Sequence, residues 1–126
     1  MQRMTQQRLL IMRVIEGAQR PLTTAEILAL AKRAGAPMGI ATVYRAVKGL
    51  GTEGWLRAVD LPGSQPRYEK SDKGHHHHFH CRGCDRVFEM EGCAHDVASL
   101  TPRGFRMEGH EIIINGLCAG CVKKGR

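Results

Sequence analysis

The sequence predicts an α+β chain, and three observations carry that reading. Three helical patterns followed by two strand-like runs occupy residues 1–70, and every cysteine and histidine lies after residue 74. Two Cys-x-x-Cys pairs then follow with 33 residues between them. At 126 residues the chain suits one ordinary domain or two small ones. A 42% hydrophobic and 25% charged composition is that of a soluble globular protein. No apolar run approaches the roughly 18 residues of a membrane span. The start Met1-Gln-Arg-Met-Thr5 lacks the apolar stretch of a signal peptide, so a cytoplasmic location is expected.

The first helix is expected from Thr5 to Gly17, where Leu10, Ile11, Val14 and Ile15 make one apolar stripe and Gly17 supplies a stop. Thr23 or Thr24 can cap the second, with Glu26 three residues after Thr23 as a capping box requires. That helix should bury Ile27, Leu28, Ala31 and Ala34 and end at Gly35. The third runs from Ile40 to Leu50 with Val43, Val47 and Leu50 facing inward. Its other face carries Thr42, Tyr44, Arg45 and Lys48, groups that reach phosphates and base edges. Trp55–Asp60 and Pro66–Lys70 flank the turn chemistry of Leu61-Pro-Gly-Ser-Gln65, a β-hairpin. Three helices and a hairpin make a winged helix-turn-helix, with the third helix in the major groove. The net charge of +7, concentrated in residues 1–64 with nine basic and four acidic side chains, agrees with a nucleic-acid partner.

In the second half, Cys81-Arg-Gly-Cys84 and Cys118-Ala-Gly-Cys121 each offer two thiolates from one tight turn. Together they close a tetrahedron around a structural zinc ion; an iron–sulfur or rubredoxin-like iron site has the same ligand count. The run Gly74-His75-His-His-His-Phe-His80 feeds directly into Cys81. As a strand it would send His76, His78 and His80 to one side and His75 and His77 to the other. Further ligands must come from elsewhere: Glu69, Glu89 in the expected strand Arg86–Met90, His95 and Asp96 on a short helical stretch, and His110 opening a strand to Ile114. Cys93 is left over as a buried small side chain, a metal ligand or a redox-sensitive thiol.

Gly39-Ile-Ala-Thr-Val-Tyr-Arg45, Tyr68-Glu69, His75-His-His-His-Phe-His-Cys-Arg-Gly-Cys84, Gly104-Phe105, His110 and Gly116-Leu-Cys-Ala-Gly-Cys121 together resemble the ferric uptake regulator family, in particular a zinc-uptake-regulator-like member. The resemblance covers nearly the whole chain. It implies a winged-helix DNA-binding domain over 1–70, a hinge over 71–76, and an α/β dimerisation and metal-binding domain over 77–126. It implies Cys81, Cys84, Cys118 and Cys121 as the structural zinc site, and Glu69, His76, His78 and Glu89 as the regulatory hinge site. His75, His77, Asp96 and His110 match an additional site. Tyr44 and Arg45 are the implied DNA-contacting residues, with Arg3 in the minor groove; Thr42 and Lys48 join them from the exposed face of the third helix.

The chain departs from the family pattern in places. Where a histidine often opens the second helix it reads Gln19-Arg-Pro-Leu-Thr23, and Ser71 stands where some zinc-sensing members have a cysteine. Cys93 and Asp72 are then candidate replacements in the hinge site. The helix between Asp96 and His110 is expected to be a turn shorter.

The implied function is a dimeric repressor of transcription that binds double-stranded operator DNA when loaded with Zn2+, or with Fe2+ or Mn2+ as an iron or manganese uptake regulator. No membrane and no small-molecule substrate other than the metal ion is expected. An enzyme such as a zinc-dependent hydrolase or nuclease is disfavoured, because His-Glu-x-x-His and His-x-Glu…Pro-Cys-x-x-Cys are both absent. A metal buffer would bind ions without selecting a DNA sequence.

Overall fold

The computed structural model describes residues 2–93 and 96–125, with the side chains of residues 2–4 outside the description. The backbone divides into two compact units, Met1–Lys73 and Gly74–Arg126.

In the first unit, α1 (Gln2–Ala18) begins ahead of the expected start. Ile11 and Ile15 are its buried positions, and Val14 packs against the same cluster. Gly17 does not stop it; the helix runs one residue further and ends where Gln19 adopts a left-handed φ of 55°, just before Pro21. A glycine in the last turn costs only about 1 kcal/mol, too little to terminate a helix by itself.

The second helix, α2 (Thr24–Arg33), opens on the expected capping box: the Glu26 amide donates to Thr23 Oγ1 (3.1 Å), and the Thr23 amide donates to Glu26 Oε1 (3.0 Å). Ile27 and Ala31 are buried, but Ala34 is exposed because it is the C-cap rather than a helical residue. Gly35 at φ 92° completes the turn, its amide donating to the Lys32 carbonyl.

The third helix, α3 (Ile40–Thr52), runs two residues beyond Leu50. It turns out at Gly54, where a φ of 82° lets the Trp55 amide reach back to the Leu50 carbonyl (2.9 Å). Val43, Val47 and Leu50 are buried as the periodicity predicts.

Strands β1 (Leu56–Val59) and β2 (Arg67–Lys70) form the antiparallel hairpin, with Arg57 opposite Glu69. Arg67 is fully buried and donates to Ser64 Oγ (2.5 Å) and the Gln65 carbonyl (3.2 Å), which fixes the tip. Leu22 and Tyr68 exchange backbone hydrogen bonds and tie the hairpin to the entry of α2. The core joins Ile11, Ile15, Leu22, Ile27, Val43, Val47, Leu50 and Leu56.

The second unit is a three-stranded sheet in the order β4-β3-β5. Strand β3 (His77–Cys81) pairs antiparallel with β4 (Val87–Met90) across the Cys81–Cys84 turn, and parallel with β5 (Ile113–Gly116). The expected strand from His110 thus begins only at Ile113; the preceding residues approach β3 through one backbone bond, from the His78 amide to the Ile112 carbonyl. A single 3-10 turn (Val97–Leu100) is the helix found between Asp96 and His110 among the described residues. A short α4 (Ala119–Lys123) closes the second Cys-x-x-Cys. No described helix is long and apolar enough to cross a membrane.

Candidate metal centres and nucleic-acid interface

The four paired cysteines converge at one end of the sheet of the second unit. Cys81 ends β3, Cys84 follows it in a tight turn, Cys118 caps α4 and Cys121 lies one turn inside it. Cys81 and Cys121 are buried, and all four thiols are free. Their sulfurs lie within 4.8 Å of one another, and Cys84 Sγ is 3.8 Å from Cys118 Sγ. Zinc–thiolate bonds of about 2.3 Å at tetrahedral angles put sulfurs about 3.8 Å apart, whereas a disulfide needs about 2 Å. The donor set therefore fits a closed four-thiolate ion.

Burial pushes the Cys81 thiol up, but the amides of Cys118, Cys84 and Gly83 aimed at its sulfur win and bring it down to about 6. Two of those amides sit at 3.3 and 3.5 Å. Burial and the neighbouring thiols instead push Cys121 up to about 12. One sulfur is thus prepared as a thiolate, while its partner needs the cation to lose its proton. Gly83 is required by space: a Cβ there would lie 2.8 Å from Cys121 Sγ.

The histidine run divides as strand geometry dictates. On one side, the His76 and His78 rings stand 4.8 Å apart. His76 Nδ1 donates to the Gly74 carbonyl (2.6 Å), which fixes the tautomer with the ring proton on Nδ1, as in a metal-binding imidazole. Glu89 is the direct cross-strand partner of His78, so it shares that face. His80, of the same parity, is bound to Asp85 (2.7 Å). In the first unit, Glu69 is 1% exposed and its carboxylate meets Arg57 Nε at 2.7 Å. This carboxylate is thus built in rather than left at the surface.

On the other side of β3, His75, His77 and His110 come together. The His75 ring lies 4.5 Å from that of His77 and 4.9 Å from that of His110. Burial and the surrounding imidazoles hold His77 below its ordinary pKa, which keeps the ring neutral. The fourth member is Cys93, whose Sγ is 2.9 Å from His110 Nε2 and 3.3 Å from His77 Nε2. Asp96 does not join this group among the described residues. It is exposed and adopts φ −111°, ψ 27° as it enters the 3-10 turn, whereas Cys93 lies nearer the end of β4. His95 lies outside the described residues.

On α3, Tyr44, Arg45 and Lys48 are exposed, Tyr44 by 56%. Thr42 is half-buried and accepts from Arg45 Nη2 at 3.4 Å. A groove of about 660 Å³ runs between this helix and the hairpin, lined by Tyr44, Lys48, Thr52, Arg57 and Tyr68 among others. The side chain of Arg3 lies outside the described residues.

The model of the ferric uptake regulator family matches residues 1–115. The chain belongs to that family. Its members are regulators of transcription, not enzymes. The chain is 29% identical over 87 residues to the ferric uptake regulation protein of Campylobacter jejuni, a match covering 67% of this chain and 55% of that one. Its fold is similar to that of a zinc-bound manganese uptake regulator (TM-score 0.77, 26% identity, 89% and 87% of the two chains). It is also similar to FurB of Mycobacterium tuberculosis, a zinc uptake regulator (TM-score 0.55, 27% identity, 94% and 95%). The chain spans little more than half the length of the first curated relatives it matches.

Cysteine spacing alone predicts the four-thiol group. The pairing of Glu69 with Arg57 follows from the hairpin register, whereas the place of Cys93 beside two imidazoles depends on segments that no local pattern brings together.

Proposed function

We propose that this protein is a dimeric, cytoplasmic repressor of transcription that grips operator DNA when its regulatory site holds a metal ion, and that the ion sensed is zinc. The observation that carries the reading is the division of labour along β3. Cys81 at its end joins a closed four-thiol group, while His76 and His78 present imidazole nitrogens, one already set for a cation by its bond to Gly74. A closed group has no position for an exchanging ligand, so it suits structure; an imidazole–carboxylate set suits reversible sensing.

In this reading Glu69, His76, His78 and Glu89 hold the sensed ion. Glu69 belongs to the winged-helix unit and the other three to the sheet unit. An ion bound by both sets the angle between them. In a dimer that angle fixes the separation of the two α3 helices against successive major-groove turns, roughly 34–36 Å. Thr42, Tyr44, Arg45 and Lys48 would then face the duplex, with Arg3 reaching the adjacent minor groove. A cation that prefers the DNA-competent arrangement shifts the population towards it, and DNA raises cation affinity in return.

The test retains zinc in the four-cysteine group and strips the remaining sites. Affinity for an operator selected from random duplexes is then measured with Zn2+, Fe2+ or Mn2+ added. Zinc at sub-micromolar free concentration should tighten binding by roughly 5- to 150-fold, the usual range of allosteric coupling. Equal affinity with and without any of the ions would overturn the repressor reading. A response to iron or manganese alone would overturn the choice of zinc.

A further inference from the structure

We propose that Cys93, His75, His77 and His110 form a mixed thiolate–imidazole site that takes a zinc-class cation and discriminates against Mn2+ and Fe2+. The inference rests on the metal-responsive reading and deepens it; its new element is the sulfur ligand. With Asp96 as the fourth member, three nitrogens and a carboxylate oxygen would also accommodate harder ions. The geometry offers a thiol instead.

Four groups from three separate stretches meet here: the approach to β3, the segment after β4 and the segment before β5. One donor atom from each lies within 4.8 Å of the others. Tetrahedral zinc places a nitrogen and a sulfur donor about 3.5–3.6 Å apart. The sulfur sits at 2.9 and 3.3 Å from two imidazole nitrogens, so a cation entering between them would spread the donors by about 0.2–0.7 Å. His77 is 3% exposed, so one wall of the site is already free of water.

The Ile112 amide donates to His77 Nδ1 at 3.1 Å, so the proton of the neutral ring sits on Nε2 and points at Cys93. To hold a cation through Nε2 the ring would carry its proton on Nδ1 and give up the Ile112 amide, and Cys93 would bind as the thiolate. Thiolate donation favours zinc over manganese and iron, whose preferred partners in proteins include carboxylate oxygens.

The test titrates the full-length protein, carrying one zinc per chain in its four-cysteine group, with Co2+ as the probe. The expected spectrum has an intense near-ultraviolet sulfur-to-cobalt band with tetrahedral bands in the visible, both erased by added zinc. Cys93→Asp and Cys93→Ser should each lose the near-ultraviolet band. Cys93→Asp should retain cobalt uptake and narrow the preference for zinc over Mn2+ by at least about tenfold, a loss that outer ligand partners alone can cause. The proposed hinge ligands contain no sulfur, so visible bands without the near-ultraviolet band would overturn this proposal and leave the metal-responsive reading standing. A band unchanged in both variants would report cobalt in the four-cysteine group and overturn it as well. The expected spectra with metal-insensitive operator binding would support the site and sink the regulatory reading.

Discussion

Residues 1–73 gather buried apolar side chains from three helices and a hairpin into a continuous cluster, from Ile11 and Ile27 to Leu50 and Leu56. Residues 74–126 bury Val87 together with Cys81 and Cys121, and leave Leu100, Phe105, Ile114 and Val122 exposed. The first unit is organised by hydrophobic burial. In the second, the most buried side chains are two cysteines, one histidine and one valine, and apolar surface remains for a partner copy in the proposed dimer. A small unit of about this size seldom folds on apolar burial alone; metals and oligomerisation supply the difference. The contrast teaches that one part of the chain has an apolar core of its own, while the other has little and, in the proposed reading, relies on an ion.

Removing the structural ion should give the largest effect. Chelation or Cys118→Ser should unfold the sheet unit, since binding energy of about 10 kcal/mol or more is also folding energy in such sites. The α-helical signal of residues 2–52 should survive, as followed by amide NMR or by two resolved thermal transitions. Simultaneous loss of both units would break the comparison. Next in size, Leu50→Ala should cost about 2–5 kcal/mol through the cavity it leaves in the apolar cluster. Chemical denaturation should show the loss in the first transition, with zinc content unchanged.

Arg45→Ala should weaken operator binding by about 1–3 kcal/mol if its guanidinium reads a base, with the oligomeric state unaltered in sedimentation. Unchanged affinity would remove α3 from the interface. The smallest expected change is Thr23→Ala. Loss of the cap on α2 should cost about 1 kcal/mol, visible as a modest drop in the stability of the first unit and none in its metal content.

Helix periodicity, the capping box at Thr23 and Glu26, and the turn between β1 and β2 are local signals, and the first unit follows them closely. Its departures lie at helix ends: Gly17 does not stop α1 because Gln19 takes the left-handed position, and Ala34 caps α2 instead of packing beneath it. The second unit was legible where chemistry repeats at fixed spacing, as in the two Cys-x-x-Cys pairs and the alternating histidines. It was not legible where segments remote in sequence meet. Nothing around residue 93 announces that its sulfur stands beside His77 and His110 while Asp96 stays outside, because that outcome depends on the path of the chain from β4 towards β5. The late start of β5 at Ile113 has a similar origin: pairing with β3 decides it, not alternation along the strand.

Consecutive imidazoles along β3 point alternately to opposite faces, so a slide of this ribbon by a single residue would hand every histidine to the wrong chamber. Phe79, whose ring crowds the bare backbone of Gly116, and Cys81, anchored in the sulfur group, together pin the ribbon against that slide. Deleting one histidine from the run, with Phe79 and Cys81 held in place, would draw Gly74 into the place of His75 and leave one imidazole where His75 and His77 now pair.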